Sequence, residues 1–185
     1  MMMTSFSENF PVRANRMHEV CGPGALDFAF ALAGQRRGAV LWAREAWQTN
    51  QINPAGFGKY FDPHNLLIAR CKDQIEVLST AEEALRSGAV ALSVLELTRP
   101  IGLTAGRRLQ LAAKAGQSTG LCIVPDGMGS NAAETRWRCD PIFDAAASTL
   151  QRWEIIKNKS GTLTAWNIRW NAEARRIIVV PEAGK

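Results

Sequence analysis

The sequence predicts an α/β fold in which a mostly parallel central sheet continues into antiparallel strands near the C-terminal end. Short apolar runs alternate with helical patterns over residues 17–124, as in parallel strands joined by helices. From residue 135 onward polar and apolar residues alternate, which is typical of antiparallel strands with one solvated face. The 185 residues, 46% of them hydrophobic, suit one domain with one sizeable core.

The chain begins with residues 1–16, which are polar and aperiodic and predict a flexible N-terminal arm. Met17–Cys21 predicts the first strand, and the Gly-Pro-Gly sequence at residues 22–24 predicts a tight turn after it. Residues 25–34 are apolar enough for a buried helix that ends at its glycine. In such sheets ligands bind beyond the carboxyl ends of the parallel strands, so this turn is the expected place for phosphate chemistry.

Two further strands are predicted at residues 38–43 and 66–71, on either side of a Pro- and Gly-containing loop at 48–61 that has room for one helical turn. Asp73 begins the next helix, with Glu76 completing a capping box. The predicted apolar face of this helix comprises Ile75, Leu78, Ala81 and Leu85.

The most apolar strand is predicted at residues 89–97, followed by a helix that Thr104 caps and Gly116 stops. Residues 120–124 predict another core strand, and 126–133 predict a polar loop.

Three strands with one solvent-exposed face complete the predicted sheet, at residues 135–139, 151–158 and 163–170. They carry four tryptophans, Trp137, Trp153, Trp166 and Trp170. The predicted single domain spans residues 17–180, with a tail at 181–185.

Composition excludes several classes of protein. No apolar run approaches the roughly 18 residues of a membrane helix, and the N-terminus lacks a signal-peptide core, so we expect a cytoplasmic protein. The net charge of +5 permits a nucleic-acid partner without requiring one.

Metal binding is not expected, because the chain has two well-separated histidines and no C-x-x-C pair. The cysteines are therefore predicted to be reduced and buried: Cys21, Cys71, Cys122 and Cys139.

The turn after the first strand fails the template of a nucleotide-binding loop, G-x-x-x-x-G-K-[ST]. When the template starts at Gly22, its second glycine falls on Asp27, its lysine on Phe28 and its hydroxyl residue on Ala29. A backbone nest could still hold an anion weakly, but neither ATP hydrolysis nor a cofactor is expected. This degenerate loop comprises Gly22, Pro23, Gly24, Asp27, Phe28 and Ala29.

Two acids stand where nucleoside triphosphatases use carboxylates. Glu96 follows an apolar strand, where it could face magnesium, and Glu45 follows another, where it could activate water. Without the loop lysine, we interpret Glu96 as an acid at a strand end that faces solvent. The sequence contains no G-x-S-x-G or H-E-x-x-H motif, so no catalytic residue is predicted.

Basic residues recur on the late strands. Arg136 and Arg138 share one strand face, as do Lys157 and Lys159, and tryptophans are interleaved with them. Such a pattern can bind single-stranded DNA or a protein partner. The alternative is a solvated strand face whose tryptophans pack inward.

Several segments resemble RecA-type recombinases in order. These are MHEVCGP at 17–23, NLL at 65–67, RSGAV at 86–90, RWR at 136–138 and IKNK at 156–159. The resemblance implies a RecA-like three-layer fold. The chain departs from it by lacking the nucleotide lysine and by shortening both regions that correspond to DNA-binding loops.

Other segments more closely resemble the ImuA family of damage-inducible mutagenesis proteins. They are VLWA at 40–43, EEALRSGA at 82–89 and RRLQLAAKAG at 107–116. The resemblance implies a non-catalytic accessory role in SOS-induced translesion synthesis. It also implies ImuB, an error-prone DNA polymerase III α-subunit and RecA as partners.

Three alternatives remain open at this point. A cell-division inhibitor of the SulA type, which binds FtsZ, shares the RecA-like ancestry and lacks the lysine. An ATP-using enzyme with an altered loop would depend on Glu96. Direct DNA binding through the basic residues would weaken steeply with salt.

Overall fold

A nine-stranded sheet organises residues 5–181, the part of the chain that the computed structural model describes. Its strands are β1 (Met17–Cys21), β2 (Val40–Glu45), β3 (Leu66–Cys71), β4 (Leu92–Glu96), β5 (Thr119–Ile123), β6 (Thr135–Pro141), β7 (Gln151–Asn158), β8 (Ala165–Asn171) and β9 (Arg176–Val180). The helices are α1 (Ala25–Gly34), α2 (Pro54–Phe57), α3 (Gln74–Ser87) and α4 (Leu103–Gly116). Short 3-10 helices lie at Phe6–Glu8 and Pro63–Asn65.

The strand order is β3-β2-β4-β5-β1-β6-β7-β8-β9. Strands β1 to β5 are parallel, and β6 runs parallel to β1 and antiparallel to β7. Strands β7 to β9 continue the antiparallel half. This arrangement confirms the predicted fold class. It also adds β9, which the sequence analysis did not assign as a strand.

Two apolar cores cover the two faces of the sheet. Helix α1 packs on one face over β1, β5 and β6, and its core includes Phe28, Trp137 and Trp153. Helices α3 and α4 pack on the other face, where the core includes Leu85 and Leu109. The alternation along β6 to β8 sends the tryptophans inward, as burial of their large apolar area requires.

Residues 5–16 differ from the predicted flexible arm. Phe10 and Val12 are buried in the core on the α1 face, and Phe6 lies edge-on against Trp166 with ring centroids 5.3 Å apart. Arg36 also donates a hydrogen bond to the Val12 carbonyl at 2.6 Å. A few aromatic and aliphatic residues in an aperiodic segment were enough to hold it on the sheet. Residues 1–4, and 182–185 of the predicted tail, lie outside the described residues.

Two helix predictions need correction in detail. Asp73 caps α3 as predicted, accepting from the Glu76 backbone at 2.9 Å, but Ile75 is 76% exposed and Val77 takes its place in the core. Helix α4 begins two residues earlier than predicted, with Gly102 and not Thr104 as its N-cap. The predicted strand at residues 89–97 is shorter, beginning at Leu92.

The cysteines are all buried free thiols, as predicted. In residues 5–181, no helix has both the length and the apolar character needed to cross a membrane.

Strand β1 carries a buried histidine that is held neutral. His18 Nε2 donates to the Arg13 carbonyl at 2.8 Å, so Nδ1 accepts from the Thr135 hydroxyl at 2.7 Å. Burial, with smaller effects from nearby arginines, lowers the pKa of His18 from 6.5 to about 4. The neutral ring therefore holds the Arg13 backbone against β1 through this hydrogen bond.

This histidine predicts a dependence of stability on pH. The unfolded chain binds a proton at His18 near pH 6.5, whereas the folded chain does so only near pH 4. The free energy of unfolding should therefore fall as the pH drops through that window, by up to about 3 kcal/mol. Urea unfolding at pH 7, 6 and 5 should show this loss. In His18→Gln, the free energy of unfolding should change much less between these pH values. Equal slopes in both proteins would contradict this assignment.

Candidate functional site

The turn at the carboxyl end of β1 is packed against β6. The Gly24 amide donates to the Cys139 carbonyl at 2.9 Å. Gly22 has φ +91°, and a Cβ added there would lie 2.6 Å from the same carbonyl oxygen. Both the backbone angle and this close approach require glycine. The neighbouring strand therefore uses the amide that a phosphate-binding loop would direct at its ligand.

Phe28, which falls where a nucleotide-binding loop has its lysine, is part of the aromatic core. Phe28 is completely buried, with its ring centroid 4.7 Å from that of Trp153 and 5.2 Å from that of Trp137. Ala29, at the position of the magnesium-binding hydroxyl, is also completely buried. The first turns of α1 are thus built for packing against β6 and β7.

Asp27 places a carboxylate in the first turn of α1. It accepts from the Tyr60 hydroxyl at 3.0 Å and from the Gln151 side-chain amide at 2.5 Å. Burial and the nearby Asp27 carboxylate raise the pKa of Tyr60. The Gln151 oxygen accepts from the Trp153 indole at 2.8 Å, and a Cβ on Gly24 would lie 2.4 Å from that oxygen. Side chains of the chain itself therefore close this helix end.

These residues do not fit a nucleoside triphosphate. A triphosphate needs free backbone amides and a cation at the turn. Instead, the Gly24 amide donates to the Cys139 carbonyl, and Phe28 occupies the position where the lysine cation would be. The Asp27 carboxylate would also repel a phosphate. The backbone nest expected to hold an anion weakly is accordingly closed at Gly24.

Glu96 does not face solvent, contrary to the sequence interpretation. It accepts from the Trp42 indole at 2.6 Å and from Arg44 at 3.0 Å. The Arg44 and Glu96 side chains are only 7% and 14% exposed. Arg44 also donates to the Asn50 carbonyl at 2.7 Å and to Gln48 at 2.6 Å. The pair therefore fastens the loop after β2 to the end of β4.

Glu45, the predicted water-activating acid, is likewise engaged by neighbouring groups. Its buried carboxylate accepts from the Thr98 hydroxyl at 2.7 Å and lies 3.7 Å from Arg99. Gln74 accepts from the Thr98 and Arg99 amides at 3.0 and 2.9 Å. Together these contacts fix the connection between β4 and α4.

A groove of about 1080 Å³ remains beside the closed turn, at the carboxyl edge of the sheet. Its walls come from α1, the loop at residues 47–60 and the end of β4. Trp47 is 64% exposed there, and Leu26 is also exposed. Of the charged side chains that line it, Asp27, Arg44 and Glu96 are paired within the chain, whereas Lys59 is exposed and lies 5.3 Å from the centroid of the Tyr60 ring. The groove therefore offers apolar contact area together with one exposed cation, and sequence patterns could not reveal it because its residues come from distant segments.

The structure places Arg136 and Arg138 on β6, Lys157 on the neighbouring strand β7, and Lys159 just after β7. Arg136 lies opposite Lys157 in the β6–β7 ladder and binds Glu19 at 2.7 Å. Arg138 binds Asp126 at 2.6 Å and Asp140 at 2.8 Å.

The two lysines are engaged with the backbone. Lys157 donates to the Ala133 carbonyl, and Lys159 donates to the Ala132 carbonyl at 2.7 Å. Burial lowers the pKa of Lys157, with a further contribution from neighbouring cations. The four tryptophans of this region are buried on the α1 face, so they form no stacking surface beside the cations. Direct DNA binding through Arg136, Arg138, Lys157 and Lys159 stays a prediction.

Comparison with solved structures places the fold. The crystal structure of the RadB recombinase matches with a TM-score of 0.64 over 89% of this chain and 90% of that one, at 13% sequence identity. The chain therefore has a RecA-like fold.

Comparison with known sequences identifies the family. No protein-family model matches the chain. Protein ImuA of Caulobacter vibrioides, in strains NA1000 and ATCC 19089, is 30% identical over 175 residues. That alignment covers 86% of this chain and 68% of the relative. With the fold and the sequence in agreement, the chain belongs to the ImuA family.

Proposed function

We propose that this protein is a non-catalytic accessory factor of damage-inducible mutagenesis, and that it works through protein contacts in the cytoplasm. The observation that carries the proposal is the closed turn after β1. There the Gly24 amide is bonded to the Cys139 carbonyl and Phe28 is a core residue. A RecA-like fold kept without these parts supports a role in binding and not in ATP turnover.

The proposed partners are ImuB, an error-prone DNA polymerase III α-subunit and RecA. Membership of the ImuA family supports this set. Exposed apolar side chains that line the same groove favour a protein interface. Trp47 and Leu26, on the groove at the carboxyl edge, are side chains of this kind.

Co-purification tests this proposal. We expect tagged protein from DNA-damaged cells to recover ImuB, the error-prone polymerase or RecA, as identified by mass spectrometry. The tag alone should recover none of them. Recovery of FtsZ without these proteins would contradict the proposal and favour a SulA-type inhibitor of cell division.

A further inference from the structure

An exposed stripe runs along α4. Leu103, Arg107, Leu111 and Lys114 are spaced by four, four and three residues, so they share one helix face. All four are exposed, and Leu111 reaches 66%. Leu103 and Leu111 therefore leave 46% and 66% of their surface in contact with water.

The stripe forms one wall of a groove of about 690 Å³. The opposite wall comes from Asn131, Ala132, Glu134 and Lys159, with Arg16 also in the lining. Gln110 links the walls, since its side-chain amide donates to the Ala132 carbonyl at 3.1 Å. The groove is therefore a fixed feature of the fold.

The charges around this groove are strongly unequal. Arg16, Arg107, Lys114 and Lys159 supply four cations. Within the described part of the chain, its lining has one carboxylate, Glu134, which already lies 3.5 Å from Arg13.

The two cations on the helix are available to a partner. In residues 5–181, Arg107 and Lys114 form no ion pair. Two free cations beside two exposed leucines are complementary to a partner that carries carboxylates next to apolar side chains.

We propose that the α4 groove binds an acidic amphipathic helix of a partner protein. Its apolar side chains would cover Leu103 and Leu111, and its carboxylates would pair with Arg107 and Lys114. A peptide is favoured over nucleic acid because the apolar part of the groove lining is aliphatic and, among the described residues, the lining contains no aromatic ring for base stacking. The inference rests on the proposed partner-binding function, since a partner supplies the helix.

The test uses the purified full chain and a fluorescein-labelled helical peptide of about 18 residues, with leucines on one face and glutamates flanking them. Fluorescence anisotropy should show saturable binding that weakens as salt rises. An isomer with lysine in place of glutamate, and a scrambled acidic peptide without an apolar face, should bind at least about tenfold more weakly.

Variants locate the binding. The double substitution Arg107→Glu/Lys114→Glu should lower the affinity for the acidic peptide by about tenfold or more. Leu111→Ser should lower the same affinity by roughly tenfold. Arg37→Glu/Lys72→Glu changes the net charge equally at exposed positions away from the groove, so it should bind nearly as the wild type does. Ile75→Ser removes a similarly exposed apolar side chain from α3 and should also bind normally.

Three results would overturn the inference. They are no binding of the acidic peptide by the wild type, equal losses in the control variants, and binding of single-stranded oligo-dT, but not of the peptide, that depends on Arg107 and Lys114. Because the probe needs no natural partner, its failure is distinguishable from failure of co-purification. If the protein recovers ImuB or RecA but does not bind the peptide, the proposed function would stand and the assignment of the α4 groove as a helix-binding site would be wrong.

Discussion

Phe28→Lys, which supplies the residue that a nucleotide-binding loop requires at this position, is expected to unfold the protein and not to restore ATP turnover. Phe28 is completely buried between Trp137, Trp153 and Phe10. Loss of its ring costs about 3–5 kcal/mol, and burial of an unpaired ammonium adds several more. That sum approaches the whole stability of a typical domain, about 5–15 kcal/mol.

Leu26→Lys is the matched control, since it places lysine on the same helix at an exposed position. Circular dichroism with urea titration should show a cooperative transition close to that of the wild type for Leu26→Lys. For Phe28→Lys it should show loss of the folded baseline. A folded Phe28→Lys protein that hydrolyses ATP would contradict the assignment of residue 28 to the core.

Glu96→Ala is expected to lower the free energy of unfolding by about 3–5 kcal/mol. The substitution leaves Arg44 buried without its carboxylate and the Trp42 indole without an acceptor, and both losses are costly inside a protein. Urea unfolding monitored by tryptophan fluorescence measures the change.

Glu154→Ala is the control for Glu96→Ala. Its ion pair with Arg152 is nearly half exposed at 3.9 Å, and the cost should stay below about 1 kcal/mol. In a double-mutant cycle, Arg44→Ala/Glu96→Ala should cost clearly less than the two single changes together. Unchanged stability in Glu96→Ala, with altered ATP turnover, would return Glu96 to a catalytic role.

Local patterns in the sequence were sufficient to predict most of the sheet. The apolar runs at β2 and β5 mark strands buried on both faces, and the alternation of polar and apolar residues in β7 marks a strand with one solvated face. The mismatch at Phe28 and Ala29 was also visible, because a nucleotide-binding loop has fixed residue types at fixed spacing.

Features set by distant contacts could not be predicted in this way. Glu96 looks like an exposed strand end in sequence, but its partner Trp42 comes from another strand 54 positions away. Phe10 lies in a polar segment, and only the folded Phe28 and Trp153 give it a place in the core. The two grooves could not be predicted for the same reason, because their walls come from parts of the chain that are far apart in sequence.

Titration of the purified chain with Mg²⁺–ATP tests most directly whether the turn after β1 is closed to nucleotides. Isothermal titration calorimetry should give no saturable heat up to millimolar ATP, and a coupled assay should give no turnover. Saturable micromolar binding that is lost on crowding the turn with Gly24→Val, together with ATP hydrolysis, would contradict both the closed turn and the non-catalytic role.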